Sequence, residues 1–443
     1  MGLRSHQDNR VSTLPLSTLV LVGVLALTIS VARVAIFRSD RNFVGQGYMY
    51  KEVALALASG QGYTETHGPL RGQPTMRRPP LWPAVLSLPL KACPQCNSVA
   101  VTQFATGFMQ AATAFGVALL VGLLSGSRRR MLLALLATVF LPEAQPLLLG
   151  GYCEPLASAI LAIGTFLLCC GPRFFFGGVV VLSLLPLVRP NFIPLWASVV
   201  VLVWWLQSHN RSRLVFGATK GRLIVAALLF YTPTALWIAR NYLVSGAFPV
   251  MAGTSSMTFY GNYNPISATI GPRFGRWIGP YKIPGPGQQK RMSEAEEFRY
   301  YDSQGRDFAV HHWKVVPLLI GAHVILSMLP SPIDGAHKYS FWVFRMLLYA
   351  AALIAIRRKS IPLESWFGVM LACSFLTTAV TVLMYSGEGR YLYPQNILFL
   401  VLVFSARYQK AALPDKRRPA FQVVHAASGA PQSASYRGKV ELE

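Results

Sequence analysis

Acidic side chains are scarce in this chain. Seventeen Asp and Glu stand among 443 residues, against 41 Lys and Arg. Charged residues of both signs make up 13% of the sequence, well short of the roughly 25% of an average soluble domain. A soluble fold with a charged coat is therefore excluded. Cysteine is also sparse, at six residues, too few for a disulfide-stapled scaffold of this length. "CPQC" at 93–96 has no second CxxC to complete a four-thiolate metal site. It reads equally as a local disulfide or as two incidental thiols. No internal repeat is visible, which leaves an inverted-repeat transporter without support. The apolar run from about Leu14 to Phe37 is too long for a signal-peptide core of about 7–15 residues, and no small-residue cleavage site follows it. It is expected to be an uncleaved membrane helix.

What is present is apolar. Hydrophobic residues make up 53% and the mean hydropathy is +0.41. Apolar runs of membrane-crossing length recur along the chain. The expected fold is an all-α polytopic membrane protein of about ten transmembrane helices. The expected spans lie near 15–37, 99–125, 131–149, 154–170, 174–188, 191–206, 223–240, 338–356, 363–385 and 391–406. Basic clusters at 127–130, 209–222 and 356–359, with the basic tail, then all fall on the cytoplasmic side. Both termini are inside on this reading. Residues 314–330, apolar but holding two prolines and a histidine, are expected to form an interfacial or re-entrant helix. Two large extracytoplasmic loops remain, 38–98 and 241–337, and loops this long usually carry function. In the first, "YKEVALALASGQGY" reads as an amphipathic helix stopped at Gly60. Residues 1–406 form the membrane domain, and 407–443 a basic, disordered cytoplasmic tail.

The formal net charge is +24. In a soluble protein this would point to nucleic acid. Here cytoplasmic loops account for part of it and no nucleic-acid partner is expected. The remainder calls for an anionic partner or the headgroups of membrane lipids.

Few acids are available for chemistry. Asp40, Glu52 and Glu65 lie in the first loop. Glu143 and Glu154 lie near the outer ends of expected helices. Glu154, in "GGYCEPLASAIL", is either a functional carboxylate or a helix-start carboxylate complementing the macrodipole. Arginines gather at the same outer edge: Arg77, Arg78, Arg189, Arg240 and Arg390. Their forked guanidinium groups suit phosphate, although any single one also reads as a boundary charge snorkelling to lipid. In "TSSMTFYGNYNP", Tyr260 and Asn262 are placed to stack on and hydrogen-bond a sugar, or to form part of an aromatic belt. His311 and His312 are adjacent, a spacing that rarely serves one metal ion.

The order of these pieces resembles the bacterial membrane glycosyltransferases of the GT-C class. The likeness is to the family of protein mannosyltransferases and the aminoarabinose transferase of lipid A (glycosyltransferase family 39-like). The pieces are "YKEVALALASGQGY", "RRPPLWP", "YCEPL", "VRPNF", "ARNYLVSGAFP", "YGNYNP" and "GRYLYP", spread over roughly 15–405. The resemblance implies transfer of a sugar from a polyprenyl-phosphate donor to a lipid, glycan or protein acceptor. It places that reaction on the outer face of the bacterial plasma membrane. Arg78 would bind the donor phosphate, supported by Arg240, Arg390 and Arg189. Glu154 would hold an acidic catalytic position. Some members of the family work without a metal, so the need for a divalent ion stays open. One position departs from the pattern: where the family carries a first-loop Asp, this chain has Gln46. Asp40 is the expected substitute, with Glu52 and Glu154 acting alone as the other readings. The alternative function is a non-catalytic protein of the same fold that binds lipid-linked sugars or partner proteins.

Overall fold

The computed structural model describes residues 15–40, 43, 45–65, 71–209, 219–248, 252–283, 292–329, 338–358, 365–384 and 389–406. The proposed tail, 407–443, lies outside them. Among the described residues every regular element is a helix, and the single β-bridge joins Thr64 to Pro74.

The first helix, α1 (Leu16–Phe37), is 22 residues of mostly apolar sequence with Arg33 its one charged side chain, about 33 Å at 1.5 Å per residue and enough for a bilayer core of about 30 Å. Next come α2 (Gln46–Ala58) and α3 (Leu81–Ala92), a packed pair in the first loop. Residue Gly60 lies just past the end of α2, at φ 79°, so the expected glycine stop is observed. The longest helix, α4 (Ser98–Ser125), is capped at its start by the Asn97 side chain, which accepts from the Val99 and Ala100 amides. It ends at Gly126 in the left-handed region.

The expected span 131–149 is broken. It forms α5 (Arg128–Val139) and α6 (Ala144–Leu149). Pro142 and Pro146 lack the amide hydrogens that a continuous helix needs here. The span 174–188 is broken likewise, into α8 (Phe175–Leu182) and α9 (Leu185–Val188), with Pro186 in the second piece. Between these breaks lies α7 (Glu154–Cys169), followed later by α10 (Pro194–Ser208) and α11 (Lys220–Ser245).

The second large loop is partly helical. It contains α12 (Thr254–Asn262) and α13 (Glu294–His311), which pack together. A Ser293–Glu296 capping box starts α13. Its polar sequence gives way to the apolar α14 (Val316–Met328) through a bend of 112°. Then follow α15 (Lys338–Arg357), α16 (Trp366–Met384) and α17 (Tyr393–Ser405).

Among the described residues, six helical segments are long and apolar enough to cross a membrane, or seven if the bent α13–α14 pair is one span. The chain is thus an all-helical, multi-pass membrane protein. Two of the remaining expected spans, 154–170 and 174–188, correspond to shorter apolar helices, α7 and α8–α9.

At the centre, α4 packs on α1, α5, α7 and α17, and α16 packs on α7, α10 and α14. Where α7 crosses α8, a Cβ on Gly164 would lie 2.6 Å from Leu182. The small residue lets the two backbones approach, the usual device of helix contacts in lipid. A buried polar knot ties distant parts together. Arg345 on α15 pairs with Glu143 before α6 and donates to Ser327 O on α14 at 3.1 Å. Asn396 on α17 donates to Glu143 Oε2 at 2.8 Å. Such a charge pair is tolerable away from water because each partner is also hydrogen-bonded.

Candidate functional site

The site is assembled around one tight turn. Residues 150–153 link α6 to α7, with Gly151 at φ 67°. The start of α2 lies directly on this turn: a Cβ on Gly47 would stand 1.7 Å from Gly150 O. Only glycine permits that approach. Trp82 of α3 donates its indole N–H to Gly151 O at 3.0 Å. Gln103 of α4 donates to Ser39 O and to Leu149 O. Three separate helices therefore fix the residues that immediately precede Glu154.

Glu154 is the first residue of α7 and fully buried. Arg189, at the extended break after α9, meets its Oε1 through Nη1 at 3.0 Å. A carboxylate at a helix start also benefits from the macrodipole. The pair is buried on both sides, so neither charge is left bare.

Around this pair runs a chain of aromatic and cationic groups. The Arg189 guanidinium lies 4.5 Å from the Tyr391 ring centroid. Arg390 lies over both Tyr391 and Tyr152, at 5.4 and 5.3 Å. On the opposite side Cys153 Sγ contacts Tyr50 Oη at 3.6 Å and Glu154 Oε2 at 3.7 Å. Arg78 lies 5.7 Å from the Tyr50 ring and contacts Met49 Sδ. Burial pushes the Tyr50 phenol well up, Cys153 and Glu154 add to the rise, and Arg78 opposes it. Tyr50 therefore stays a neutral hydroxyl between the cation and the carboxylate. Arg78 makes no ion pair with any described residue.

Of the expected site residues, Glu154, Arg189, Arg390 and Arg78 are joined by this chain of contacts. Asp40 is exposed on a short turn, and its side chain makes no hydrogen bond or ion pair with a described residue. Arg240 is committed elsewhere. It donates to Thr75 O, Asn241 Oδ1 and Tyr63 O, and lies over the Tyr63 and Trp237 rings. It fastens the first loop to α11. Tyr260 stacks on Tyr301 at 5.7 Å, and Asn262 is buried, donating to Thr258 O. Both sit in the packing of the second loop. Gln46 opens α2, next to the close contact at Gly47.

Arg77 and Arg78 have different work. Arg77 faces three carboxylates, Glu297 at 2.9 Å, Glu294 at 3.4 Å and Glu65 at 3.9 Å. Glu294 also accepts from Thr75 Oγ1 and the Met76 amide. This cluster clamps α13 onto the first loop. Tyr63 supports the next step of the chain, donating to Arg78 O at 2.9 Å. Burial pushes its phenol up as well, which keeps it a donor.

Sequence reasoning did not single out Tyr50, Tyr152 and Tyr391. The signal was present: each lies inside one of the quoted motifs, Tyr50 in "YKEVALALASGQGY", Tyr152 in "YCEPL" and Tyr391 in "GRYLYP". Cys93 and Cys96 form a disulfide. Among the described residues no group of three or more His, Cys, Asp or Glu side chains is placed to hold a metal ion. No protein-family model matches the chain, and no curated protein matches it.

Proposed function

We propose that the chain is a glycosyltransferase that takes a sugar from a polyprenyl phosphate and passes it to a hydroxyl of a lipid, glycan or protein. The observation that carries this reading is the chain of contacts that links a guanidinium with no ion pair among the described residues, Arg78, to a buried carboxylate, Glu154, through Tyr50 and Cys153. Phosphate needs the first and an acceptor hydroxyl needs the second. In this reading the chain crosses the bacterial plasma membrane about ten times. In it, α5–α6, α7, α8–α9 and α17 join the six membrane-length helices to make ten spans, and both termini are cytoplasmic.

The chemistry balances with these residues. The acceptor oxygen attacks the anomeric carbon while the bond from that carbon to the phosphate oxygen breaks. The bonding pair leaves with the phosphate, whose growing negative charge Arg78 and Arg390 stabilise. The acceptor proton passes to Glu154, held in place by Arg189.

A second reading has its own support. Gln46 cannot take a proton, Asp40 is apart from the arginines' contacts, and Glu154 is already engaged by Arg189. A non-catalytic binder of lipid-linked sugars fits those three facts. One experiment separates the two. Purified protein is given a polyprenyl-phosphate sugar with labelled sugar, and both binding and released polyprenyl phosphate are measured. Transferase action requires release, a loss of about 10²–10⁴ in turnover in Glu154→Gln, and weaker donor binding in Arg78→Ala. Binding without release selects the second reading. Donor binding that ignores Arg78 and Arg390 alike removes both.

A further inference from the structure

The stretch "IGPRFGRWIGPYK", 270–282 in the second large loop, has no part in the Glu154 site. It holds three cations, Arg273, Arg276 and Lys282, and no acid. Its neighbours place it at the end of the membrane-length helices. Just before it, Tyr263 donates its hydroxyl to Leu383 O at 3.0 Å, in the last turn of α16. Phe274 packs on the same small core, Phe308 and Leu319, as Val315 and Val316 at the α13–α14 bend. A Cβ on Gly275 would stand 2.4 Å from the Ala322 side chain, so the stretch lies directly against the apolar α14. Backbone bonds fix its course. The Gly275 amide donates to Ser267 O at 2.9 Å, and the Ile278 amide to Gly261 O at 2.8 Å.

Its outward side does not suit water alone. Ile270 is 93% exposed, Tyr281 66% and Trp277 40%. Arg273, Arg276 and Lys282 are exposed among them. Neither arginine has an ion-pair partner among the described residues. Trp and Tyr collect where hydrocarbon meets water, but Lys and Arg are usually scarce on the outer side. Three cations without an acid therefore call for an anion at that level. A soluble polyanion would pair with the cations and leave Ile270 in water. A zwitterionic headgroup carries its own cation beside the phosphate, which weakens the attraction. An anionic phospholipid satisfies both halves of the surface, with phosphate for the guanidinium groups and acyl chain for Ile270.

We propose that 270–282 is a docking surface for anionic phospholipid headgroups of the leaflet on the Glu154 side. Arg273, Arg276 and Lys282 meet phosphates at the wet headgroup level. Ile270, Trp277 and Tyr281 reach the top of the acyl chains. The surface fastens the second large loop to the bilayer, and it does not depend on the transferase reading.

The test uses the full chain in lipid nanodiscs with Ile270→Cys carrying a bimane. The other free cysteines are replaced and the Cys93–Cys96 disulfide is kept. Two quencher lipids, a phosphatidylglycerol and a phosphatidylcholine, carry a nitroxide near the top of the acyl chain. Both should quench the bimane. Half-quenching is expected at about tenfold lower mole fraction of the phosphatidylglycerol, a little more than the worth of one cation at an anionic surface. Arg273→Gln with Arg276→Gln and Lys282→Gln should bring the two curves together, with the thermal midpoint unchanged because all three side chains are exposed. High salt should narrow the gap in the parent. Quenching by neither lipid, or equal quenching by both, overturns the proposal. A gap that survives in the triple variant also overturns it, since other residues then select the lipid. Emission that ignores both lipids and shifts with soluble polyphosphate overturns it in favour of a water-borne polyanion.

Discussion

At the scale of single residues, the Glu154–Arg189 pair is the feature with the largest energetic consequence. Both side chains are buried and their charges meet at 3.0 Å. Removing one partner strands the other away from water, which costs about 3–5 kcal/mol, whereas removing both leaves little charge to solvate. Arg189→Met is therefore expected to lower the unfolding midpoint strongly. The double variant Arg189→Met with Glu154→Gln should recover most of the loss. Thermal unfolding of the four proteins in one detergent measures this, and a double variant as unstable as Arg189→Met would show that the pair is not electrostatically coupled. The importance of Glu154 was legible in the sequence, because an acid opening an apolar helix is rare in so acid-poor a chain. The partner was not. Arg189 is 35 residues away, and nothing in hydropathy says that the break after α9 folds back onto α7. Arg240 shows the opposite failure. Its position at an outer helix end suggested a ligand site, yet its Nη1 and Nη2 donate to carbonyls 165 and 177 residues distant.

At the scale of elements, the two large loops act as one structure through the Arg77 cluster. Three carboxylates, Glu65, Glu294 and Glu297, face one guanidinium. Thr75 and the Met76 amide also hold Glu294. Burial pushes the Glu297 carboxyl up, its acidic neighbours add to this, and Arg77 opposes them. An acid whose folded pKa is raised binds more protons folded than unfolded in the window just above the ordinary carboxylate value. Stability from this group is then greatest at low pH and declines as pH rises through the raised value. Protection factors for amide exchange in 71–80 and α13, corrected for intrinsic rates, should fall as pH rises through that window. Glu297→Gln should flatten the change. A profile identical in Glu297→Gln and the parent would assign the pH response to another group. Element type was largely readable from the sequence, and the α2 stop at Gly60 is one instance. The broken spans were not, because a hydropathy window sums across Pro142 and Pro186 without registering the lost amide donors.

At the scale of the whole molecule, the bundle has two chemically different ends. Arg130 Nη1 donates to Ala406 O at 2.9 Å, so the basic cluster at 127–130 lies beside the end of α17. Arg390 stands just before the start of α17, with Tyr152 and Glu154 in its neighbourhood. The 13-residue length of α17 separates the two ends, about 20 Å along its axis. The Glu143–Arg345–Asn396 knot lies between them and locks α14, α15 and α17 to the α5–α6 break. That arrangement makes orientation a testable property of the whole chain. Positive charge collects on the cytoplasmic side, so the end holding Arg128, Arg129 and Arg130 should be inside and the Glu154 end outside. Single cysteines at the exposed positions Arg129 and Arg276, introduced after replacing the native cysteines, report this directly. A membrane-impermeant maleimide on intact cells should label the cysteine at 276 and leave the one at 129 untouched until the cells are opened. The reverse pattern would put Glu154 and Arg78 in the cytoplasm. It would remove the outer-face transfer reaction and require a donor that is made and used on the inner side.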